Sequence, residues 1–180
     1  MRPSALPERL ELRCLGAEWR VEYSSVFAQV EGQARTVARE KPERLLLVAG
    51  DVRDTVACRA ALRRWLRRKA RSTVVPRLAV LAYERGFSTG PVSVRAQRTR
   101  WASCSRQGAI SLNVRLLFLP PELVDYVLLH ELCHTVRMDH SAAFWALLRK
   151  HDPECLAKRR LLRDAHLFVP GWFDTLCRGV

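Results

Sequence analysis

The 180-residue chain predicts an α+β fold: a small antiparallel N-terminal sheet, then a mainly helical part with a short sheet beside one buried helix. Three observations predict it. Residues 9–52 alternate apolar and charged side chains with the period of a half-buried strand. Near residue 52 that pattern gives way to helical spacing. Farther on, Leu123 to Cys133 is apolar on almost every side, which marks a helix buried on all faces.

In chain order, Leu10, Leu12 and Cys14 alternate with charged residues, as do Trp19, Val21 and Tyr23, with Gly16 and Ala17 as a hairpin turn between them. Val26 to Val30 is a third run, broken by Gly32. Ala34 to Ala38 and Leu45 to Val48 complete the sheet. A soft boundary near residue 52 separates a β-rich part (1–52) from the rest (53–180), and both fit within one compact domain. Asp51 or Asp54 opens a long helix reaching Gly86, with a break or kink near Val75 because Pro76 lies inside it. Its apolar face is Val56, Leu62, Trp65, Leu66, Leu78 and Leu81. Pro91 to Gln97 is a strand with Val92 and Val94 inward, Arg100 to Ser105 a turn, and Ala109 to Val114 a second strand. Pro121 and the acids Glu122 and Asp125 suit the start of the next helix. After it, Ser141 caps a helix that packs Phe144, Trp145, Leu147 and Leu148. Another helix follows Asp152–Pro153, with Cys155, Leu156 and Leu162 on its core side, and the aromatic tail FVPGWF docks on the core.

The buried helix contains HELCH: His130, Glu131 and His134. Residues four apart stand one turn up the same face, so both imidazoles reach one metal ion. Glu131 beside them is placed to take a proton from a water that the metal activates. Two histidines and a glutamate on a buried helix need compensation for lost hydration, and a divalent cation supplies it. A catalytic zinc site requires a third protein ligand. His140 is the favoured one and Glu154 the rival. The spacing from His134 to His140 fits HExxHxxGxxH, but Arg137 occupies the Gly position, and the only methionines are Met1 and Met138, so no later Met-turn is available. Tyr126, one turn before His130, and Arg137, just after His134, are candidate oxyanion donors. The strand Ile110 to Asn113 is a candidate edge for extended substrate backbone. Asn113 either donates to a substrate carbonyl or satisfies the backbone at the strand end.

The run RWASCS (Arg100 to Ser105), then ISLNVRLLFLPPELVDYVLLHELCH, then HSAAFW, resembles the YgjP-like metallopeptidase family and, more distantly, the SprT-like metalloproteases. The family pattern runs approximately RWGSCS, a strand with LN, YVxxHELxH, and a third His followed by FW. The match spans about residues 90–150. The resemblance implies a zincin-like catalytic part, Zn2+ held by His130, His134 and His140, and Glu131 as the catalytic base. Ala102 stands where the family usually has Gly, so a turn after Trp101 that needs positive φ would be altered.

A net charge of +13 concentrates in Arg63 to Arg71, where Arg64, Arg67, Arg68 and Arg71 share one helix face. That face is either a solvated surface or a nucleic-acid contact. The six cysteines, Cys14, Cys58, Cys104, Cys133, Cys155 and Cys177, form no CxxC pair and read as reduced thiols. No signal peptide and no run of membrane-spanning length is expected, which predicts a cytoplasmic protein. Three function classes follow. The first is a zinc-dependent hydrolase acting on a peptide or protein. The second is a zinc hydrolase acting on a non-peptide substrate such as a nucleotide phosphoanhydride. The third is a nucleic-acid-associated protein of SprT-like type.

Overall fold

Alternation builds the first sheet. β1 (Arg9–Leu12) and β2 (Ala17–Ser24) bury Leu10, Leu12, Trp19 and Val21 and expose the charged residues between them. They pair antiparallel across a 3-10 turn (Arg13–Leu15) closed by Gly16 at φ 56°, a left-handed conformation that costs glycine little. A computed structural model describes residues 6–175 apart from Phe27, Glu31, Gly32 and Arg98. Thus part of the Val26 to Val30 run, its Gly32 break and Cys177 lie outside the described residues.

A hairpin of β3 (Ala28–Val30) and β4 (Gln33–Arg35) precedes β5 (Val37–Lys41) and β6 (Leu45–Ala49). The sheet order is β1-β2-β6-β5. It is therefore mixed rather than antiparallel throughout: β6 runs parallel to β2 and antiparallel to β5. The chain passes beyond the sheet to form β5 at its far edge, then turns back into the gap. A period of two reports which face is buried and carries no information on strand direction. Ala34 to Ala38, expected as one strand, divides at Thr36 between β4 and β5. A Cβ at Gly50 would lie 2.6 Å from the Thr36 Cα, so only glycine lets the end of β6 pass that point.

α1 (Thr55–Arg85) is one helix of 31 residues. Asp54 opens it, accepting the Val56 and Ala57 N–H groups at 2.9 Å each, and Gly86 closes it. The expected break at Pro76 does not occur. Pro76 and Ser72 are both exposed, so the carbonyl deprived of its partner faces water. The buried face holds Cys58, Leu62, Trp65, Leu66, Val74, Leu78 and Leu81; Val56, expected among them, is exposed.

The arginine face of α1 meets two sheet edges. Arg64 donates to the Thr36 carbonyl (2.7 Å) and Arg68 to Ala38 (3.2 Å), along the open side of β5. Arg67 donates to the Val94 carbonyl (3.1 Å) on β7 (Val92–Arg95). Edge carbonyls that would otherwise be open are capped by guanidinium groups.

The second sheet has the order β7-β9-β8, with β8 at Ala102–Cys104 and β9 at Ile110–Asn113. Two expectations change. RWASCS is not a turn: its centre is β8, antiparallel to β9. β9 is the central strand, so its edges are taken by β7 and β8, and β8 is the edge strand that packs against the next helix. Ala102 lies in extended backbone; among the described non-glycine residues, positive φ occurs only at Glu43 and Arg44. Ala102 therefore meets none of the strain expected of it.

α2 (Pro121–His134) follows a 3-10 turn at Val114–Phe118, with Pro at its first position and Glu122 in its first turn. Arg77 grips Asp125 through two N–H groups at 2.8 and 2.6 Å, tying α1 to α2. α3 (Ala142–His151) buries Phe144 and Leu148. α4 (Cys155–Arg163) buries Cys155 but leaves Leu156 exposed, contrary to expectation. α5 (Gly171–Thr175) brings Trp172 and Phe173 onto the core, Phe173 lying 5.4 Å from Phe118 between ring centroids. One continuous apolar cluster runs from Leu10 to Phe173. Among the described residues no helix is long and apolar enough to cross a membrane.

Candidate active site

The last turn of α2 presents His130 and His134 on one face, and the chain then doubles back. Thr135 donates its hydroxyl to the Leu132 carbonyl (2.7 Å), and the Arg137 N–H closes onto Cys133 (2.9 Å). Asp139 Oδ1 then accepts both the hydroxyl (2.6 Å) and the N–H (3.2 Å) of Ser141. Ser141 sits at the N-cap position just before α3 as expected, but its hydroxyl holds this turn and does not cap the helix. The turn aims His140 back at α2.

Three Nε2 atoms converge as a result: His130 lies 3.1 Å from His134 and 3.1 Å from His140. Two imidazole nitrogens bound to one tetrahedral zinc stand about 3.3 Å apart, so the donor set fits one shared ion. His134 donates Nδ1–H to the Arg137 carbonyl at 3.0 Å, which fixes the tautomer and leaves Nε2 as the ligand. The Nδ1 of His130 is buried with no hydrogen-bond partner among the described residues. Burial, and then its two neighbouring histidines, push the His130 pKa down to about 3, so the ring is neutral and able to bind metal. His134 is lowered too, chiefly by burial. Phe144 stacks on His134 at 4.6 Å and meets the edges of the other two rings, and Trp145 lies 6.0 Å from His140.

Glu131 is 6% exposed. Burial raises its carboxyl to about 7, against the opposing charge of Arg100. It lines a hollow of about 220 Å³ together with His130, Tyr126, Trp101, Arg100 and Leu162. Tyr126, its phenol pushed up to about 12 by burial, is thus brought to the site. Arg137 is exposed, and it touches the site through its backbone carbonyl. Asn113 is buried at the end of β9, its amide donating to the Gln97 (2.8 Å) and Arg100 (2.6 Å) carbonyls and its oxygen accepting from Arg115 N–H (3.1 Å). That is the backbone-satisfying role rather than substrate contact. Glu154 stands at the N-cap position before α4 with its side chain 78% exposed, paired with Lys158; the one cluster of potential metal-binding side chains among the described residues is His130, His134 and His140. His151 packs on Phe87 and His166 on a backbone carbonyl. Cys133 is fully buried and Cys104 is held protonated by burial and by Glu131.

Two residues here were not singled out as site residues from the sequence. Arg100 borders Glu131, and Arg159 lies 4.6 Å over the Trp145 ring. Arg100 was legible only as the first letter of a motif; Arg159 sits in an arginine-rich helix that reads as surface.

The chain is similar to two solved structures. It resembles the metallopeptidase zymogen of Pyrococcus abyssi abylysin at 28% identity and TM-score 0.45, over 51% of this chain and 93% of that one. It resembles the metallopeptidase zymogen of Methanocaldococcus jannaschii jannalysin at 19% identity and TM-score 0.45, over 51% and 94%. No curated protein matches. The model of the YgjP-like metallopeptidase domain matches residues 4–165, spanning both sheets, the HELCH helix and the turn that carries His140; the chain belongs to the YgjP-like metallopeptidase family.

Proposed function

We propose that the protein is a zinc-dependent peptidase in which His130, His134 and His140 hold the ion and Glu131 is the general base. The convergence of three Nε2 atoms beside a buried carboxyl carries this reading. When bound, the metal supplies Lewis acidity toward water and the scissile carbonyl. Glu131 takes the proton from the attacking water and returns it to the leaving amine. Burial of Glu131 raises its carboxyl, which favours the protonated form that holds the proton between the two transfers. Tyr126 lines the same hollow and is the candidate donor to the oxyanion; the Arg137 carbonyl holds His134 in its ligating orientation.

Substrate backbone is placed by β8. Asn113 N–H donates to the Trp101 carbonyl and Ser105 N–H to the Ala109 carbonyl, both at 2.9 Å. In an antiparallel ladder the intervening residues point their polar groups the other way. The N–H and C=O of Ala102 and Cys104 therefore face the free edge, available to an extended peptide. This reading transfers the substrate-pairing role from β9 to β8.

Elemental analysis tests the metal. The wild type is expected to hold one equivalent of zinc, to lose it in His140→Ala, and to keep it in Glu154→Ala and Glu131→Gln. Hydrolysis of a casein-type substrate is expected to fall by about 10²- to 10⁴-fold in Glu131→Gln. A wild type that takes up no metal when zinc is supplied refutes the proposal.

A further inference from the structure

Two residues of β8 combine open backbone groups with side chains turned toward α2. Ala102 and Cys104 pair with Leu112 and Ile110 of β9, which are buried, so all four side chains share the inner face of the sheet, and β8 packs there on α2. Ser103, opposite Ser111, points to the other face. A peptide laid antiparallel along the free edge forms a hydrogen-bonded pair with Ala102, and residues directly opposite one another project from the same face. The peptide residue opposite Ala102 is thereby aimed at α2, and its two neighbours are aimed away.

What that residue meets is the hollow of about 220 Å³ beside Glu131. Pockets that take a whole small molecule run to roughly 300–1,000 Å³, so this one is of the size of a single side chain. Trp101, Ala102, Tyr126, Val127 and Leu162 give it largely apolar walls. They are not equally firm. Ala102, Tyr126 and Val127 are 8%, 3% and 4% exposed, held by a paired strand and by the buried helix, whereas Trp101 and Leu162 are half-buried and form the rim. In a close-packed interior a buried wall does not retreat without opening a void behind it. Ala102 is the smallest of the firm walls, and it belongs to the strand that holds the substrate.

We infer that Ala102 is a specificity-determining residue: the side chain that follows the scissile bond enters this hollow, and the Ala102 methyl limits it to an apolar group of about leucine size. The inference rests on the peptidase reading and narrows its substrate class. Glu131 identifies the residue concerned. It returns the proton to the leaving amine, whose nitrogen belongs to the residue after the scissile bond, and Glu131 lines the hollow that receives that same residue's side chain. Burying a leucine or methionine against these walls removes apolar surface from water. An acidic side chain there would lose hydration and meet the Glu131 carboxyl. In an apolar pocket one methylene too many or too few is worth about 10- to 200-fold in kcat/KM.

The test uses zinc-loaded protein and peptides alike except at one position, which carries Leu, Ala, Asp or Trp. Mass spectrometry is expected to find cleavage at the bond before Leu, with kcat/KM at least about tenfold above that for Ala, Asp or Trp. Ala102→Gly shifts the preference toward Trp, and Ala102→Val lowers the Leu-to-Ala ratio by about tenfold. Leu162→Phe narrows the same hollow from its half-buried rim, lowers that ratio too, and requires no repacking of β8. A ratio taken within one preparation is insensitive to how much of a variant folds. Equal cleavage of all the peptides, cleavage after Leu rather than before it, or a Leu-to-Ala ratio unchanged in both Ala102→Val and Leu162→Phe overturns the inference. Fluorescence polarisation with zinc-loaded Glu131→Gln separates it from the reading beneath it. Leu-selective binding that Ala102→Val abolishes, without hydrolysis by the wild type, keeps the pocket and sinks the peptidase. Hydrolysis without selectivity sinks the pocket alone, and neither hydrolysis nor selective binding sinks both.

Discussion

The arginine face of α1 and the histidine face of α2 share one pattern in the sequence, polar groups three or four residues apart along one side of a helix. Their surroundings are opposite. Arg64, Arg67 and Arg68 lie against strand edges and donate to the carbonyls of Thr36, Val94 and Ala38. His130 and His134 face a turn that delivers a third imidazole. Among the described residues no carboxylate pairs with them, and burial keeps His130 neutral. The first set completes the scaffold, while the second has unused lone pairs aimed at one point. Polar spacing on a helix therefore gains meaning from what stands opposite it.

Several substitutions sharpen this contrast, the largest effect first. Glu131→Gln is expected to lower kcat on a peptide by about 10²- to 10⁴-fold, the usual worth of a general base, with zinc content unchanged. Equal activity in the variant would remove Glu131 from the chemistry. His140→Ala leaves two ligands and is expected to weaken zinc binding by more than about 100-fold in a chelator competition, with the helical circular dichroism of α2 retained. The neighbouring Asp139→Ala, which loosens the turn holding His140, is expected to reduce affinity by a smaller factor.

A third measurement reads the burial of the site. In chelator-treated protein, Glu131 keeps its proton up to about 7 while the unfolded chain releases it near 4.5. Its raised pKa therefore contributes stability below about pH 4.5, and that contribution is lost as pH rises through 7. Glu131→Gln is expected to remove the loss, gaining up to ~3 kcal/mol over the metal-free wild type at pH 8. His130 acts in the opposite sense. Its folded pKa of about 3, against 6.5 unfolded, makes stability fall as pH drops from 6.5 toward 3. Urea titrations of both proteins across pH 4–8 isolate the Glu131 contribution by difference; parallel curves would show that the carboxyl is not desolvated.

The smallest effect lies on α1. Arg64→Ala or Arg67→Ala removes a charged donor from an edge carbonyl and is expected to cost about 1 kcal/mol in thermal unfolding, without change in zinc content or kcat. A loss of metal from either variant would break the distinction between scaffold face and ligand face.

The ligand face was legible because one short stretch holds both its chemistry and its context. The i, i+4 histidines, the glutamate between them and the apolar residues around them predict a buried helix with one polar stripe. His140 was legible as a nearby imidazole, and choosing it over Glu154 required the turn built by Asp139 and Ser141. RWASCS was read as a turn because three residues of strand are too short for alternation to register. The order β7-β9-β8, and with it the exposed edge beside α2, depends on pairing between segments and leaves no local trace. Arg100 and Arg159 were overlooked because nothing local distinguishes an arginine that borders a cleft from one in water.

What the sequence by itself determined is local: the alternation that makes β1 and β2 half-buried, the Asp54 and Gly86 ends of α1, the buried helix and the ligand spacing on it. Each follows from side chains within a turn or two of one another, whose faces and caps are set by backbone geometry. Only the tertiary structure decided the parallel insertion of β6, the continuity of α1 through an exposed Pro76, the capping of sheet edges by arginines, and the return of His140 to α2. These depend on which distant groups are brought together and whether water reaches them, and neither is encoded in the period of a single segment.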